Sequence, residues 1–165
     1  MTDRLELRAA RPGDELLLLD LIRELAEYER LSHEVEATPG DLSESLFGGG
    51  AVAEAVIAQW EGQPVGFALF FRNFSTFVGR PGLYLEDLYV RETHRGKGIG
   101  KALLLHLAGI ARARNYGRME WSVLDWNQPA IDFYNSLGAR PMSDWTVFRL
   151  DEHALASLPN SQTDS

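Results

Sequence analysis

The chain has 165 residues, 45% hydrophobic and 24% charged, with a net charge of −8 and no cysteine. That length suits a single globular domain with a sizeable core. The acidic balance argues against nucleic acid as a partner, no apolar run approaches the roughly 18 residues of a membrane span, and the missing cysteines exclude disulfides and an acyl-cysteine intermediate.

The N-terminus, Met1 to Glu6, lacks a signal-peptide apolar region, so the expected compartment is the cytoplasm. Leu5 to Arg8 alternates and reads as a first strand. Arg11-Pro12-Gly13-Asp14 is a turn and helix start, with Asp14 as the cap. Leu18, Leu21, Ile22 and Leu25 recur at helical spacing, which predicts an amphipathic helix over 14–31. Thr38 caps a shorter helix with Pro39 in its first turn, ending near Phe47. Ala51–Trp60 and Pro64–Phe71 form an antiparallel hairpin around Glu61-Gly62-Gln63. Asn73 to Gly82 reads as a loop carrying Phe74 and Phe77, and Leu83 to Val90 as the next strand. Ile99 to Asn115 is a helix closed by Gly117. A strand over Met119–Leu124, a short helix capped by Asn127 and ending at Gly138, and a last strand over Trp145–Leu150 follow. Glu152 to Leu158 adds a turn of helix. Residues 1–158 are expected to form one domain, and 159–165 a disordered tail. The order β-α-α-β-β-β-α-β-α-β predicts an α/β fold, a mixed central sheet flanked by helices, with parallel neighbours around the Ile99 helix.

Arg95-Gly96-Lys97-Gly98-Ile99-Gly100 stands between a strand and a helix. A glycine-rich turn there makes a nest of backbone N–H groups at the positive end of a helix dipole, which suits a pyrophosphate. A Walker A loop fails, because Arg95 replaces its first glycine and Ala102 its hydroxyl. A dinucleotide fingerprint fails, because Lys101 or Leu103 replaces its last glycine. The pattern Arg/Gln-x-x-Gly-x-Gly/Ala fits as Arg95-x-x-Gly98-x-Gly100.

That third pattern resembles the acetyl-coenzyme A loop of the GNAT N-acetyltransferases. Asn127-x-x-Ala130-x-x-Phe133-Tyr134, about 30 residues on, is similar to a second motif of the same family. Leu21 to Glu29, Tyr84 to Leu88 and Asp125-Trp126-Asn127 look like the diamine acetyltransferases, the spermidine/spermine and thialysine group. The resemblance spans residues 4–151. It implies the GNAT fold, with a strand bulge that splays two strands into a V. It implies acetyl-coenzyme A as co-substrate and a homodimer. Pantetheine would lie against Leu88, Tyr89 and Val90, and the pyrophosphate on the loop Arg95, Gly96, Lys97, Gly98, Ile99, Gly100 and Lys101. Asn127 and Ala130 would touch the coenzyme arm. Tyr28, Glu29 and Glu86 would meet the amine, and Glu120, Trp121 and Ser122 match the family's substrate strand in position.

A primary amine attacking a thioester must first lose a proton, since its ordinary pKa is about 10.4. Glu86 resembles the family's base, acting through water, and Tyr134 its acid, a phenol still protonated at neutral pH. Strand alternation sends Asp87 to the opposite face, as a cap or salt-bridge residue. On the residues alone, Tyr134 is equally a core aromatic, and Tyr28 and Glu29 a helix-end surface. The four histidines, His33, His94, His106 and His153, share no metal-ligand spacing, so no metal is expected. The missing cysteine and this arrangement of residues point to direct transfer in a ternary complex; hydroxyl or carboxylate acyl-enzymes stay open, although no nucleophile–base motif suggests one. Residues 140–145 are shorter and less acidic than in the polyamine enzymes, which opens the way to a shorter amine or thialysine. Two alternatives stand: the same fold acting on a protein N-terminus or an aminoglycoside, and a non-catalytic acetyl-coenzyme A sensor.

Overall fold

The computed structural model describes residues 4–161. The chain divides after Leu124 into two units, Met1–Leu124 and Asp125–Ser165. The first unit holds one five-stranded sheet in the order β1-β2-β3-β4-β5. Its strands are β1 (Leu5–Ala9), β2 (Glu54–Trp60), β3 (Gln63–Ser75), β4 (Arg80–Val90) and β5 (Met119–Trp121). The first four pair antiparallel, and β4 pairs β5 in parallel. A parallel pair needs a crossover, supplied here by α3 (Ile99–Ala113). The expected mixed sheet is therefore present.

Helices α1 (Glu15–Tyr28) and α2 (Pro39–Phe47) pack together on one face. Leu18, Leu19, Leu21, Leu25, Leu42 and Leu46 meet Ala55, Ile57, Phe67 and Tyr89 in one buried cluster. Alternation sends Val56, Ala58 and Ala68 to the other face, where α3 buries Ile99, Leu103, Leu104 and Leu107. Thr38 and Asp41 form the reciprocal cap that starts α2, with Pro39 in its first turn.

Several boundaries differ from the sequence expectation. The segment 73–82 is no loop: β3 runs to Ser75 and β4 starts at Arg80, leaving a tip at 76–79. Aromatic side chains on a paired but exposed hairpin mimic a loop in sequence, and Phe77 is 93% exposed. Asn115, with φ 57°, turns the chain at the end of α3, ahead of Gly117. β5 spans only Met119–Trp121, because its pairing with β4 ends at Leu85↔Trp121.

The second unit contains α4 (Gln128–Ser136) and α5 (Glu152–Ser157). The strand expected over Trp145–Leu150 does not form. Its apolar residues are exposed, Val147 by 84% and Phe148 by 93%. Alternation favours a strand only where a neighbour is available, and this unit offers no other strand among its described residues. The expected tail includes residues 162–165, which lie outside the described residues.

Asp14 does not cap α1 through its side chain. Its buried carboxylate instead receives two hydrogen bonds from Arg8, at 2.8 and 3.0 Å, and one from the Arg11 backbone at 2.9 Å. The pair ties β1 to the start of α1. The Arg8 guanidinium holds the Asp14 carboxyl below its ordinary value. A lowered acid pKa stabilises the fold above the unfolded value near 4 and loses that contribution as pH falls through the folded one. Asp14→Asn is therefore expected to cost about 2 kcal/mol at pH 7, with the gap to wild type closing as pH drops below about 4. Urea denaturation at the two pH values measures it.

Candidate active site

One extra residue shapes the site. In the β3–β4 ladder Leu69 faces Asp87 and Phe70 faces Leu85, so Glu86 bulges out of register. Beyond Leu85 the register with β5 has ended, while β4 stays paired to β3 as far as Val90. β4 and β5 thus separate beside Glu86, the V that the family resemblance implies. The edge of β4 along Leu88, Tyr89 and Val90 faces that opening.

A cavity of about 390 Å³ lies between α1, the segment 31–37 and the bulge. Its acidic lining is Glu29, Glu34, Glu36, Glu86 and Asp87, and its apolar lining includes Ile22, Leu25 and Val35. Asp87 was expected on the opposite face from Glu86. The bulge breaks the alternation, and both carboxyls line one cavity. Burial, then the nearby Glu86 and Glu29 charges, push the Asp87 carboxyl up to about 7. Burial and Glu86 likewise raise the Glu29 carboxyl. Asp87 is the residue that sequence reasoning missed. Its signal, an Glu-Asp pair in an otherwise apolar strand, is visible, but a bulge is not.

The glycine loop has the expected geometry. Gly96 and Gly98 take φ of 81° and 78°, conformations that L side chains rarely adopt. Gly98 is the N-cap of α3, which has no side-chain cap and no acidic residue in its first turn. The N–H groups of Ile99, Gly100 and Lys101 form that uncapped first turn, an arrangement suited to an anion. Lys97 lies with its ammonium 5.1 Å from the Trp60 ring centre. Arg95 turns away from the loop: its guanidinium stacks 4.6 Å above Tyr28 and 5.7 Å from Tyr89, and its Nε donates to the Val90 carbonyl at 3.0 Å. The Tyr89 hydroxyl donates to Glu24, which also takes a two-pronged contact from Arg91.

Tyr28 ends α1, and Glu29 is its C-cap, so the structure brings Glu29, Glu86 and the Arg95 loop to one end of the sheet. Glu120 and Trp121 lie on β5, where Arg118 pairs with Glu120 at 3.4 Å. Ser122 shares a hydrogen bond of 2.9 Å with the Tyr84 hydroxyl. None of these three lines the cavity. In the second unit, Asn127 caps α4 by accepting from the Ala130 N–H at 3.4 Å, as expected. Phe133 and Tyr134 are half-buried on α4, with ring centres 5.6 Å apart.

A mixed sheet whose β4–β5 pairing stops at a bulge, followed by an uncapped glycine turn into a crossover helix, is an architecture that solved structures share. An integron cassette protein from the mobile metagenome of V. cholerae superposes with a TM-score of 0.77 at 28% identity, over 93% of this chain and 96% of that one. Residues 18–139 match the acetyltransferase (GNAT) family. The thialysine N-epsilon-acetyltransferase of Bos taurus is 38% identical, over 92% of this chain and 95% of the relative. L-ornithine N5-acetyltransferase NATA1 of Arabidopsis thaliana is 30% identical, over 92% of this chain and 86% of the relative. The chain therefore belongs to the GNAT acetyltransferase family and is an N-acetyltransferase.

The Asp87 environment has a measurable consequence for stability. An acid whose folded pKa is raised keeps its proton in the folded state after the unfolded chain has lost it. Folding stability then falls as pH rises from about 4 towards 7. Asp87→Asn removes that penalty. Its melting temperature relative to wild type is expected to rise between pH 4 and pH 8, read by thermal melts across that range.

Proposed function

We propose that this chain transfers the acetyl group of acetyl-coenzyme A to a primary amine of a small cationic substrate, a diamine or a thialysine-like side chain, by direct attack in a ternary complex. The observation that carries the reading is the acidic cavity at the bulge, where Glu29, Glu86 and Asp87 converge beside an apolar wall. An ammonium attached to a short carbon chain is complementary to such a lining. The names of the thialysine and ornithine relatives support the same substrate class.

The glycine loop fits the coenzyme's pyrophosphate. Its uncapped N–H groups and the positive end of α3 would hold the phosphates, with Lys97 and Lys101 adding charge. The Leu88–Val90 edge of β4 would hold the pantetheine arm by backbone pairing, with Asn127 and Ala130 contacting the coenzyme. Glu29 and Tyr28 would orient the distal end of the amine, and Glu120, Trp121 and Ser122 would flank it from β5. Glu86 draws the proton from the attacking nitrogen through water, and Tyr134 returns a proton to the departing thiolate. In this reading the enzyme works in the cytoplasm as a homodimer, as the family resemblance implies.

The test is thiol release from acetyl-coenzyme A across spermidine, spermine, putrescine, thialysine, lysine and a peptide N-terminus. Saturable release with a diamine or thialysine is the expected result. Binding of acetyl-coenzyme A without release on any amine would mean a sensor, and release confined to the peptide would move the substrate class. Tyr134→Phe is expected to lower turnover about 100-fold while coenzyme affinity stays close to wild type. Near-normal turnover in that variant removes Tyr134 from the acid role.

A further inference from the structure

We infer that Asp87 is the carboxylate on which the proton leaving the substrate ammonium comes to rest, with Glu86 on the path between them. The inference rests on the amine reading above and adds a residue to it.

The bulge is the first support. Without it Asp87 would point away from Glu86; with it the two carboxyls line one cavity. They are not equivalent there. Glu86 is exposed, at the mouth, whereas Asp87 is half-buried. The second support is the pattern of pairing. Asp14, which is buried, and Glu24, which is half-buried, each hold an arginine, Arg8 and Arg91. Among the described residues no cation pairs with Asp87, Glu86 or Glu29. Asp14 and Glu24 are thus neutralised from within the fold, whereas this group is left for a cation from outside.

Among the described residues lining the cavity, the charges around Asp87 are all of one sign. Glu29 faces it from the end of α1, Glu34 and Glu36 from the segment 31–37, and Glu86 from its own strand, while its β3 partner is the uncharged Leu69. Burial, then the Glu86 and Glu29 charges, hold its carboxyl near 7. A general base is most effective with a pKa near the working pH. The gap to an alkylammonium is then about three units, against about six for an ordinary carboxyl.

The step balances without a further reactant. An ionised Asp87 takes one proton from R–NH3+ by way of Glu86 and its water, leaving R–NH2 and a neutral Asp87. The nitrogen forms its bond to the acetyl carbon as the carbon–sulfur bond breaks. The second nitrogen proton goes to the departing thiolate, and Asp87 releases its proton to solvent once the amide has left.

The experiment is the pH profile of kcat/KM for the best amine in wild type, Asp87→Asn and Glu29→Gln, together with a carboxyl-carbon NMR titration of the free protein. Wild type should rise through a limb near pH 7. Asp87→Asn should lose that limb and fall about 100-fold at pH 8. Glu29→Gln should move the limb to lower pH by removing one negative neighbour, a shift that a purely structural Asp87 would not show. The NMR titration should contain a side-chain carboxyl with a midpoint near 7, missing in Asp87→Asn and lowered by saturating putrescine. Retention of both limb and rate in Asp87→Asn overturns the inference. So does a carboxyl at this position that titrates near 4 in the free protein, a result that needs no turnover. Absence of turnover on every amine defeats the acetyltransfer reading instead, so the two failures are separable.

Discussion

A single extra residue in β4 is the constraint on which the site depends. A pleated strand alternates its side chains between two faces, so consecutive carboxyls normally part company. At Glu86 the ladder to β3 skips one position, and the two acids turn to one cavity. Near the same place β4 loses β5, which frees a backbone edge in the middle of a sheet. An open edge inside a sheet is otherwise a liability, because its N–H and C=O groups need partners. Here it leads directly to the glycine turn at Gly96–Gly98 and the uncapped start of α3. Acidic cavity and free strand edge are therefore two results of one interruption, and the glycine turn adds the anion-ready helix end on the same strand.

The acids at that interruption are costly to the fold. Three carboxyls near one another in partial burial repel and lose hydration, and the raised Asp87 and Glu29 values report both effects. The surrounding structure offsets this with ordinary packing. Leu18, Leu21 and Leu25 of α1 are buried against Ile57 and Phe67 directly behind the cavity. Arg91 spans Glu24 of α1 and the Pro64 carbonyl at the start of β3. The wall of the site is thus well packed while its carboxyls take no cation among the described residues, the arrangement expected where binding is built on a stable scaffold.

Most of the scaffold was legible in the sequence, for identifiable reasons. The α1 stripe of leucines, the Thr38-Pro39 start of α2 and the Glu61-Gly62 hairpin turn each carry their cause in local residue types. So did the loop, since Gly96 and Gly98 occupy left-handed positions. What failed was non-local. The β3–β4 tip reads as a loop because exposed aromatics such as Phe74 and Phe77 hide a pairing that runs on to Ser75↔Arg80. Trp145–Leu150 alternates like a strand, but alternation does not supply a neighbour. Asp87 was misplaced because a bulge belongs to the register between two strands, and no feature of one strand states it.

Arg95 makes contacts that reach beyond the loop it opens. Its guanidinium lies on Tyr28 and its Nε is committed to the Val90 carbonyl. A phosphate that recruits Arg95 must therefore dissolve a stacking contact at the end of α1 and release a carbonyl on β4. The residue after Tyr28 is Glu29, which lines the acidic cavity. Two ligands that draw on one side chain are linked in free energy, and linkage runs equally in both directions. Under the proposed function, an anion that draws on Arg95 and an amine in the acidic cavity would therefore not bind independently, and the affinity for each would depend on the concentration of the other.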